Sequence, residues 1–213
     1  MPDFALELAA VHELASLTGF KITNVRRGPD ERGIDVLFEI DGRRVGAQHT
    51  TFHWDEGDSP GVRGSPARAK EEIARKATTT EFGMFAKGDY RPALWLRVDD
   101  KIGKAALHDN RDLICETWLM ISASVGRAAA STLIAPEILG ADNLNALCHV
   151  HLVASQFECA CLVLHMQRVV WGWDRPGGWR VLADPDAAGR QEHKERMSAV
   201  LDQIRADFRA RRQ

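Results

Sequence analysis

The sequence predicts an α/β or α+β fold in which a mixed central sheet is flanked by helices. Segments with the spacing of amphipathic helices are interspersed with short runs of β-forming residues. The clearest local signal is a β-hairpin over residues 32–52, in which the arm 34–40 is rich in β-formers and Asp41-Gly42 is a typical two-residue turn. The chain has 213 residues, 45% of them hydrophobic, which is enough to bury a sizeable core in one domain, residues 1–213.

Composition and charge limit the classes of protein and of partner. The formal net charge is −2, so a nucleic acid could be bound only through a local basic patch. The amino-terminal segment carries acids where a signal peptide carries bases, and no run approaches the ~18 apolar residues of a membrane span. We therefore expect no membrane association, a cytoplasmic location and reduced cysteines.

The first elements in the chain are a helix and a short strand. A helix is predicted over residues 4–18, with Asp3 as its cap and Gly19 as its stop signal. A strand over residues 20–26 and a polar loop then lead into the hairpin. This order places Glu7 on the helix that precedes the first strand.

The middle of the chain begins with a long polar loop over residues 53–66, longer than a compact connection requires. Ser65 as a cap and Pro66 at the first helical position predict a charged helix that runs to residue 78. Apolar runs predict three more elements, namely a central strand over 92–98 and helices over 109–125 and 128–139.

The last third of the chain is expected to be rich in strands and to close with a helix. The predicted strands cover residues 146–154, 157–165, 168–174 and 178–183. A charged helix over 187–211 follows and ends in RADFRARRQ. A weak seam near residues 99–103 separates a core over 3–98 from an elaboration over 99–213.

The candidate functional residues lie on the hairpin. Asp35 at the start of one arm is expected to face the polar cluster Gln48-His49-Thr50 on the other arm. Acidic and polar groups at facing positions of two strands can hold a divalent cation, since hard cations prefer oxygen ligands. The sequence therefore predicts a cation site at this end of the hairpin.

The order helix, strand, hairpin, helix, strand resembles the core of the PD-(D/E)XK nuclease-like superfamily, which includes restriction endonucleases and Holliday-junction resolvases. Three short motifs carry the resemblance, over residues 3–98. Glu7 precedes Gly19-Phe20 as the family's helix glutamate precedes a Gly-aromatic pair, and Asp35 stands at the start of the second strand. Gln48-His49-Thr50 follows 13 residues later, where the family has (D/E)-X-K. A restriction-endonuclease-like core is the fold that this resemblance implies.

The resemblance implies metal-assisted hydrolysis of DNA, in which Mg²⁺ or Mn²⁺ would be bound by Glu7, Asp35 and Gln48. Two positions depart from the family pattern. Gln48 replaces an acid and offers only a neutral carbonyl oxygen. Thr50 replaces the lysine that orients or activates the attacking water.

In some family members the missing lysine is thought to come from the next helix, and Lys70 and Lys76 are the candidates here. Arg68 is a weaker candidate, because a guanidinium does not lose its proton. The expected catalytic residues are Asp35, Gln48 and Lys70. The expected substrate contacts are Thr50, Arg68 and Lys76.

Non-functional roles are alternatives for these residues. Glu13 rivals Glu7, and both could simply face solvent. His49 alternates to the opposite strand face from Gln48 and is more often packed or solvated than catalytic. The helix lysines are more often solvated than catalytic.

A second constellation would suit a tetrahedral zinc ion, although its spacing matches no standard zinc motif and buried cysteine is the commoner explanation. It consists of Cys148, His149, His151, Cys159, Cys161 and His165. The tryptophans of the last strand pair could stack nucleic-acid bases but more often pack a sheet against a helix. They are Trp171, Trp173 and Trp179.

Two functions from different classes follow. The first is a divalent-metal-dependent nuclease acting on DNA, with a homodimer as a candidate assembly. The alternative is a catalytically inactive nuclease-fold protein that acts as a binding or regulatory module. The Gln48-His49-Thr50 triplet separates them, since the enzyme requires Gln48 and a helix lysine to converge with Asp35 and Glu7.

Overall fold

A computed structural model of the protein describes residues 4–53, 91–105, 110, 112–124, 140–165, 167–189, 191, 192, 195 and 199. The helices are α1 (Phe4–Thr18), α2 (Arg91–Ala105) and α3 (residues 141–153). The strands are β1 (Ile22–Arg27), β2 (Val36–Ile40), β3 (Arg43–His53), β4 (Glu116–Ser124), β5 (Cys159–Leu164), β6 (Val169–Asp174) and β7 (Gly178–Ala183). None of the described helices has the length and apolar character that a membrane span requires.

The seven strands form one mixed sheet in the order β1-β2-β3-β4-β5-β6-β7. Strands β1, β2 and β3 are an antiparallel meander, β4 is parallel to both β3 and β5, and β5 to β7 are again antiparallel. The sheet is thus mixed, as the sequence predicts. The strands of the carboxyl-terminal half extend the same sheet, and the boundary proposed at residues 98/99 falls inside α2.

Helices cover both faces of the sheet. Residues Ala10, Val11 and Leu14 of α1 are fully buried against one face, which we call the α1 face. Leu94 and Val98 of α2 lie in a second buried cluster, together with residues of α3, on the opposite face, which we call the α2 face. Side chains of successive strand residues alternate between these faces, so the face of each site residue follows from its register.

The hairpin and the three carboxyl-terminal strands lie where the sequence predicts them. Asp41 and Gly42 have φ values of 50° and 78°, as a type I′ turn between β2 and β3 requires. The predicted bounds of α1 are also confirmed, while its predicted cap, Asp3, lies outside the described residues. Strand β1 is displaced from its predicted bounds by only one or two residues. Strong local signals explain these successes, because a helix stop and a tight turn depend on few residues.

Three predicted elements are wrong. The predicted strand 92–98 lies in α2, where Leu94 and Val98 are one turn apart and share the buried face. The predicted helix 109–125 contains β4, whose run is apolar because both its faces are buried between parallel neighbours. The predicted strand 146–154 is helical, as Asn145–His149 is a π-helical turn followed by α-helix over Val150–Val153.

Two predicted helices, 65–78 and 128–139, lie outside the described residues. The described residues at the start of the predicted closing helix, 187–189, 191, 192, 195 and 199, are helical. The rest of that helix lies outside the described part of the chain, as does the carboxyl-terminal arginine cluster.

Two glycines give a matched test of this backbone. A Cβ on Gly42 or on Gly103 would meet nothing within 4 Å, so packing does not contribute to either change. Gly42→Ala is expected to lower the free energy of unfolding by about 1–2 kcal/mol, because φ of 78° strains an L-residue. Gly103→Ala, in the exposed last turn of α2, is expected to raise it by up to about 0.5–1 kcal/mol. Urea unfolding of the two variants measures both values, and equal signs would contradict the turn geometry.

Candidate functional site

Asp35 is held at the point where β1, β2 and β3 meet. Its backbone N–H donates to the carbonyl of Ala47 at 3.0 Å, and its carbonyl accepts from the N–H of Gly28 at 3.1 Å. The chain passes so close here that a Cβ on Gly28 would lie 2.2 Å from the carbonyl oxygen of Ile34. The backbone of Asp35 is therefore positioned from both neighbouring strands.

The Asp35 carboxylate has two donors. Its Oδ2 accepts from the backbone N–H of His49 at 2.6 Å and from Nζ of Lys101 at 3.0 Å. Lys101 comes from α2, and its side chain is only 16% exposed, whereas that of Asp35 is 36% exposed. Asp35 is thus an anchored carboxylate with one side toward solvent and a half-buried ammonium group as its partner.

Gln48 lies on β3 beside this pair. It pairs in register with Leu119, which belongs to the core under α2, so its side chain lies on the α2 face like that of Asp35. The Gln48 side chain is buried, and its Oε1 has no hydrogen-bond partner among the described residues. An unpaired buried acceptor is costly, and a bound cation or water is one explanation for it. Thr50, two residues further along β3, is half-buried on the same face.

His49 alternates to the α1 face, where it is buried. Its Nε2 lies 2.9 Å from Oγ of Ser122, the buried serine of β4, and the two groups share a hydrogen bond. Its Nδ1 lies 3.9 Å from Oε1 of Glu7 on α1. The second carboxylate oxygen of Glu7, Oε2, is buried and has no partner among the described residues. Glu7 therefore reaches His49 from one face, while Asp35 binds the backbone of the same residue.

Burial keeps the His49 imidazole neutral. It lowers the pKa of His49 to about 4, and the charge of Asp35 opposes this effect. Lys101 and His165 lower the pKa further through repulsion. Because the ring is neutral, it does not form an ion pair with Glu7. It contributes to the site through packing and through its hydrogen bond with Ser122.

Glu13, the rival of Glu7, has a different partner. Its Oε2 contacts Nδ1 of His165 at the end of β5. Glu7, in contrast, contacts the residue next to Gln48 on β3. The geometry thus associates Glu7 rather than Glu13 with the hairpin.

The lysine beside Asp35 is not one that the sequence singled out. The candidates Arg68, Lys70 and Lys76 all lie outside the described residues. Lys101 was missed because residues 92–98 of its helix were predicted to form a strand, and residues 99–103 were assigned to a seam rather than to a helix. The signal was present, since Lys101 follows the buried Leu94 and Val98 by seven and three residues and so shares their helix face.

The proposed zinc ligands do not converge. Cys148 is buried in the core under α2, whereas Cys161 is buried in the core under α1, on the other side of the sheet. Burial raises the pKa of Cys161 to about 12 and that of Cys159 to about 11, which disfavours the thiolates that bind metals. In the described part of the chain, no group of three or more His, Cys, Asp or Glu side chains is arranged to hold a metal ion.

The histidines of α3 and the tryptophans of β6 and β7 are structural. The indole N–H of Trp173 donates to Nδ1 of His149 at 3.0 Å, and that of Trp95 donates to Nε2 of His151 at 3.2 Å. The three tryptophans proposed to stack bases, Trp171, Trp173 and Trp179, are all buried in the core under α2. They pack the sheet against the helices, as the structural alternative predicts, and are not exposed to stack on bases.

No protein-family model, curated protein or solved structure matches the chain significantly. The function therefore has to be argued from the geometry around Asp35. This site combines an anchored carboxylate, a buried amide oxygen without a partner and a lysine ammonium on one face of the hairpin. Such a set can bind a hard cation and an anionic substrate side by side.

Proposed function

We propose that the protein is a divalent-metal-dependent nuclease that hydrolyses phosphodiester bonds in DNA, with Asp35, Gln48 and Lys101 at its centre. The observation that carries the proposal is the 3.0 Å contact between Lys101 and Asp35 on the same sheet face as Gln48, whose buried Oε1 has no partner among the described residues. This lysine, supplied from α2, would stand in for the one that Thr50 replaces.

The order of elements supports a restriction-endonuclease-like core. Among the described elements, helix α1, strand β1, the β2–β3 hairpin, helix α2 and strand β4 occur in the order of that superfamily. Strands β1 to β3 form an antiparallel meander, and β4 adds parallel to β3. In this proposal residues 91–105 would take the place of the helix predicted at 65–78, and residues 116–124 that of the strand predicted at 92–98.

The residues fit Mg²⁺ or Mn²⁺ through oxygen donors. Asp35 and Gln48 would hold the cation, and Mg²⁺ retains several waters, so few protein ligands are needed. When bound, the cation would supply Lewis-acid stabilisation of the scissile phosphate. Lys101 would place a positive charge and a donor beside the attacking water and the phosphate. Glu7, predicted as a third ligand, instead contacts the His49 side chain on the opposite face of the sheet, so it is not one of the ligands in this proposal.

Two features favour the second candidate, a catalytically inactive nuclease-fold protein that serves as a binding or regulatory module. The described residues hold no cluster of three acidic, histidine or cysteine ligands, and Lys101 already neutralises Asp35. Two measurements separate the candidates, a cleavage assay and a Mn²⁺-binding measurement, since the inactive protein would show neither metal-dependent cleavage nor Mn²⁺ binding.

The test is a nuclease assay with Mg²⁺ and Mn²⁺ on the wild type, Asp35→Ala and Gln48→Glu. Asp35→Ala is expected to lower the cleavage rate at least about a hundredfold, the scale of losing one transition-state-stabilising group. Gln48→Glu is expected to bind Mn²⁺ more tightly in calorimetry, because a carboxylate adds the missing charge. Asp186→Ala removes an exposed acid near the other edge of the sheet and serves as the control.

Two results would refute the nuclease. One is cleavage that persists unchanged in Asp35→Ala. The other is a wild type that neither cleaves DNA with either metal nor binds Mn²⁺, which would favour the inactive module.

A further inference from the structure

A groove with two exposed arginines lies on the outer strands of the sheet, close to Asp35. It has a volume of about 270 Å³ and is formed by β1, β2 and β3 with Leu113. Arg26 and Arg44 line it, and both are exposed. Its apolar part includes Leu37, which packs with Ile34 and Ile114.

Both arginines contribute their backbones to the sheet, while their side chains stay exposed. Among the described residues, neither the Arg26 nor the Arg44 guanidinium has a hydrogen-bond or ion-pair partner. Arg43, by contrast, pairs with Glu116 and lies next in sequence to Arg44. The single acid of the groove, Glu39, accepts a hydrogen bond from Nδ2 of Asn24 at 2.8 Å. Both guanidinium groups are therefore available to an anion.

The register aligns the groove with the candidate site. Arg26 pairs with Leu37, and Leu37 lies two residues after Asp35 on the same strand face. From strand spacings, the Cα atoms of Asp35 and Arg26 are about 8 Å apart, and those of Arg26 and Arg44 about 12 Å. Asp35, Arg26 and Arg44 thus form a path along one face, with steps on the scale of one or two nucleotides.

We propose that this groove binds the sugar-phosphate backbone of a nucleic-acid strand, with Arg26 and Arg44 on phosphates that lie to one side of the phosphate at Asp35. Arginine matches phosphate oxygens in bidentate geometry, and the leucine floor suits the apolar edges of the sugars. The inference names the substrate contacts of the proposed nuclease and so rests on that function. It also supplies the local basic patch that a chain with a net charge of −2 needs.

The experiment measures binding rather than cleavage. A short fluorescein-labelled single-stranded DNA is titrated with Asp35→Ala protein, without divalent metal, and anisotropy is followed at several salt concentrations. Arg26→Ala with Arg44→Ala is expected to weaken binding at least about tenfold. It should also lower the slope of log affinity against log salt by about 1.4, or about 0.7 for each phosphate contact on a single strand.

The control removes two arginines from the other end of the sheet, Arg168→Ala with Arg180→Ala, for the same loss of charge. It is expected to leave the slope within the error of the parent protein. Three results would refute the proposed groove: equal losses of DNA affinity in the two double variants, no loss of affinity in either, or no DNA binding by the Asp35→Ala protein.

The groove and the nuclease can fail separately. Arginine-dependent binding without metal-dependent cleavage by the wild type would retain the groove and reject the nuclease. Cleavage with binding that does not depend on Arg26 and Arg44 would reject the groove and retain the nuclease. Inorganic phosphate is added as a competitor. If it displaced the DNA at low concentration, the groove would be a site for a free anion rather than for a nucleic-acid strand.

Discussion

Replacing Lys101 with methionine is expected to lower the rate of metal-dependent DNA cleavage by at least about a hundredfold, the lower end of what one positioned catalytic side chain contributes. The side chain is half-buried, and its Nζ lies 3.0 Å from Asp35. Methionine has a similar length and removes the charge and the donor. Fold stability should change little, because Asp35 keeps the His49 N–H and its contact with solvent.

Two comparisons make this result specific to the site. Lys101→Arg keeps the charge but places a broad planar group where a compact ammonium fits, so it is not expected to restore the rate. Lys104→Met removes an exposed lysine from the same helix, where it pairs with Asp100, and should cleave like the wild type. If Lys101→Met retained the wild-type rate under initial-rate conditions, Lys101 would have no catalytic role.

The stability of the protein is expected to fall as the pH drops from about 6.5 to about 4, and His49 accounts for up to about 3 kcal/mol of this fall. The folded-state pKa of His49 lies below the unfolded-state value of 6.5. Above pH 6.5 both states are neutral, and the imidazole imposes no penalty. Between the two pKa values only the unfolded state binds the proton, which favours unfolding, and below about 4 the effect is complete.

The measurement is urea unfolding across this pH range for the wild type, His49→Gln and His12→Gln. His49→Gln keeps a neutral polar group beside Ser122 but cannot titrate, so its stability should decline less with acid than that of the wild type. His12→Gln removes an exposed histidine of α1 and should follow the wild type. Carboxylates titrate in all three proteins and cancel in the comparison. If the free energy of unfolding fell equally with acid in the wild type and in His49→Gln, the conclusion that the His49 ring is buried and neutral would be wrong.

Local sequence signals account for the parts of the fold that were predictable. The turn at Asp41-Gly42 adopts the left-handed backbone that these residue types tolerate, and it sets the pairing of β2 with β3. The turn before Gly178 likewise sets the pairing of β6 with β7. In each case a few adjacent residues determine the geometry, so no distant contact is needed.

Apolar runs were ambiguous because burial on all sides removes the alternation that distinguishes strand from helix. Strand β4 lies between two parallel neighbours with Leu119 and Ile121 buried on one face and Met120 on the other, and it was predicted to be helix. Helix α2 has a short apolar segment, and it was predicted to be strand. The length and composition of a short apolar run are compatible with a strand and with a helix, so they did not distinguish the two structures.

The sequence by itself determined the hairpin, its Asp35 and the adjacent Gln48, because these depend on turn chemistry and on residues 13 apart in one local unit. Only the tertiary structure decided which lysine reaches Asp35 and which face receives Glu7. Lys101 is 66 residues from Asp35 in the chain, and its position follows from the packing of α2 across β3. Such a contact depends on the burial of Leu94 and Val98 against the sheet, a long-range effect that no local pattern specifies.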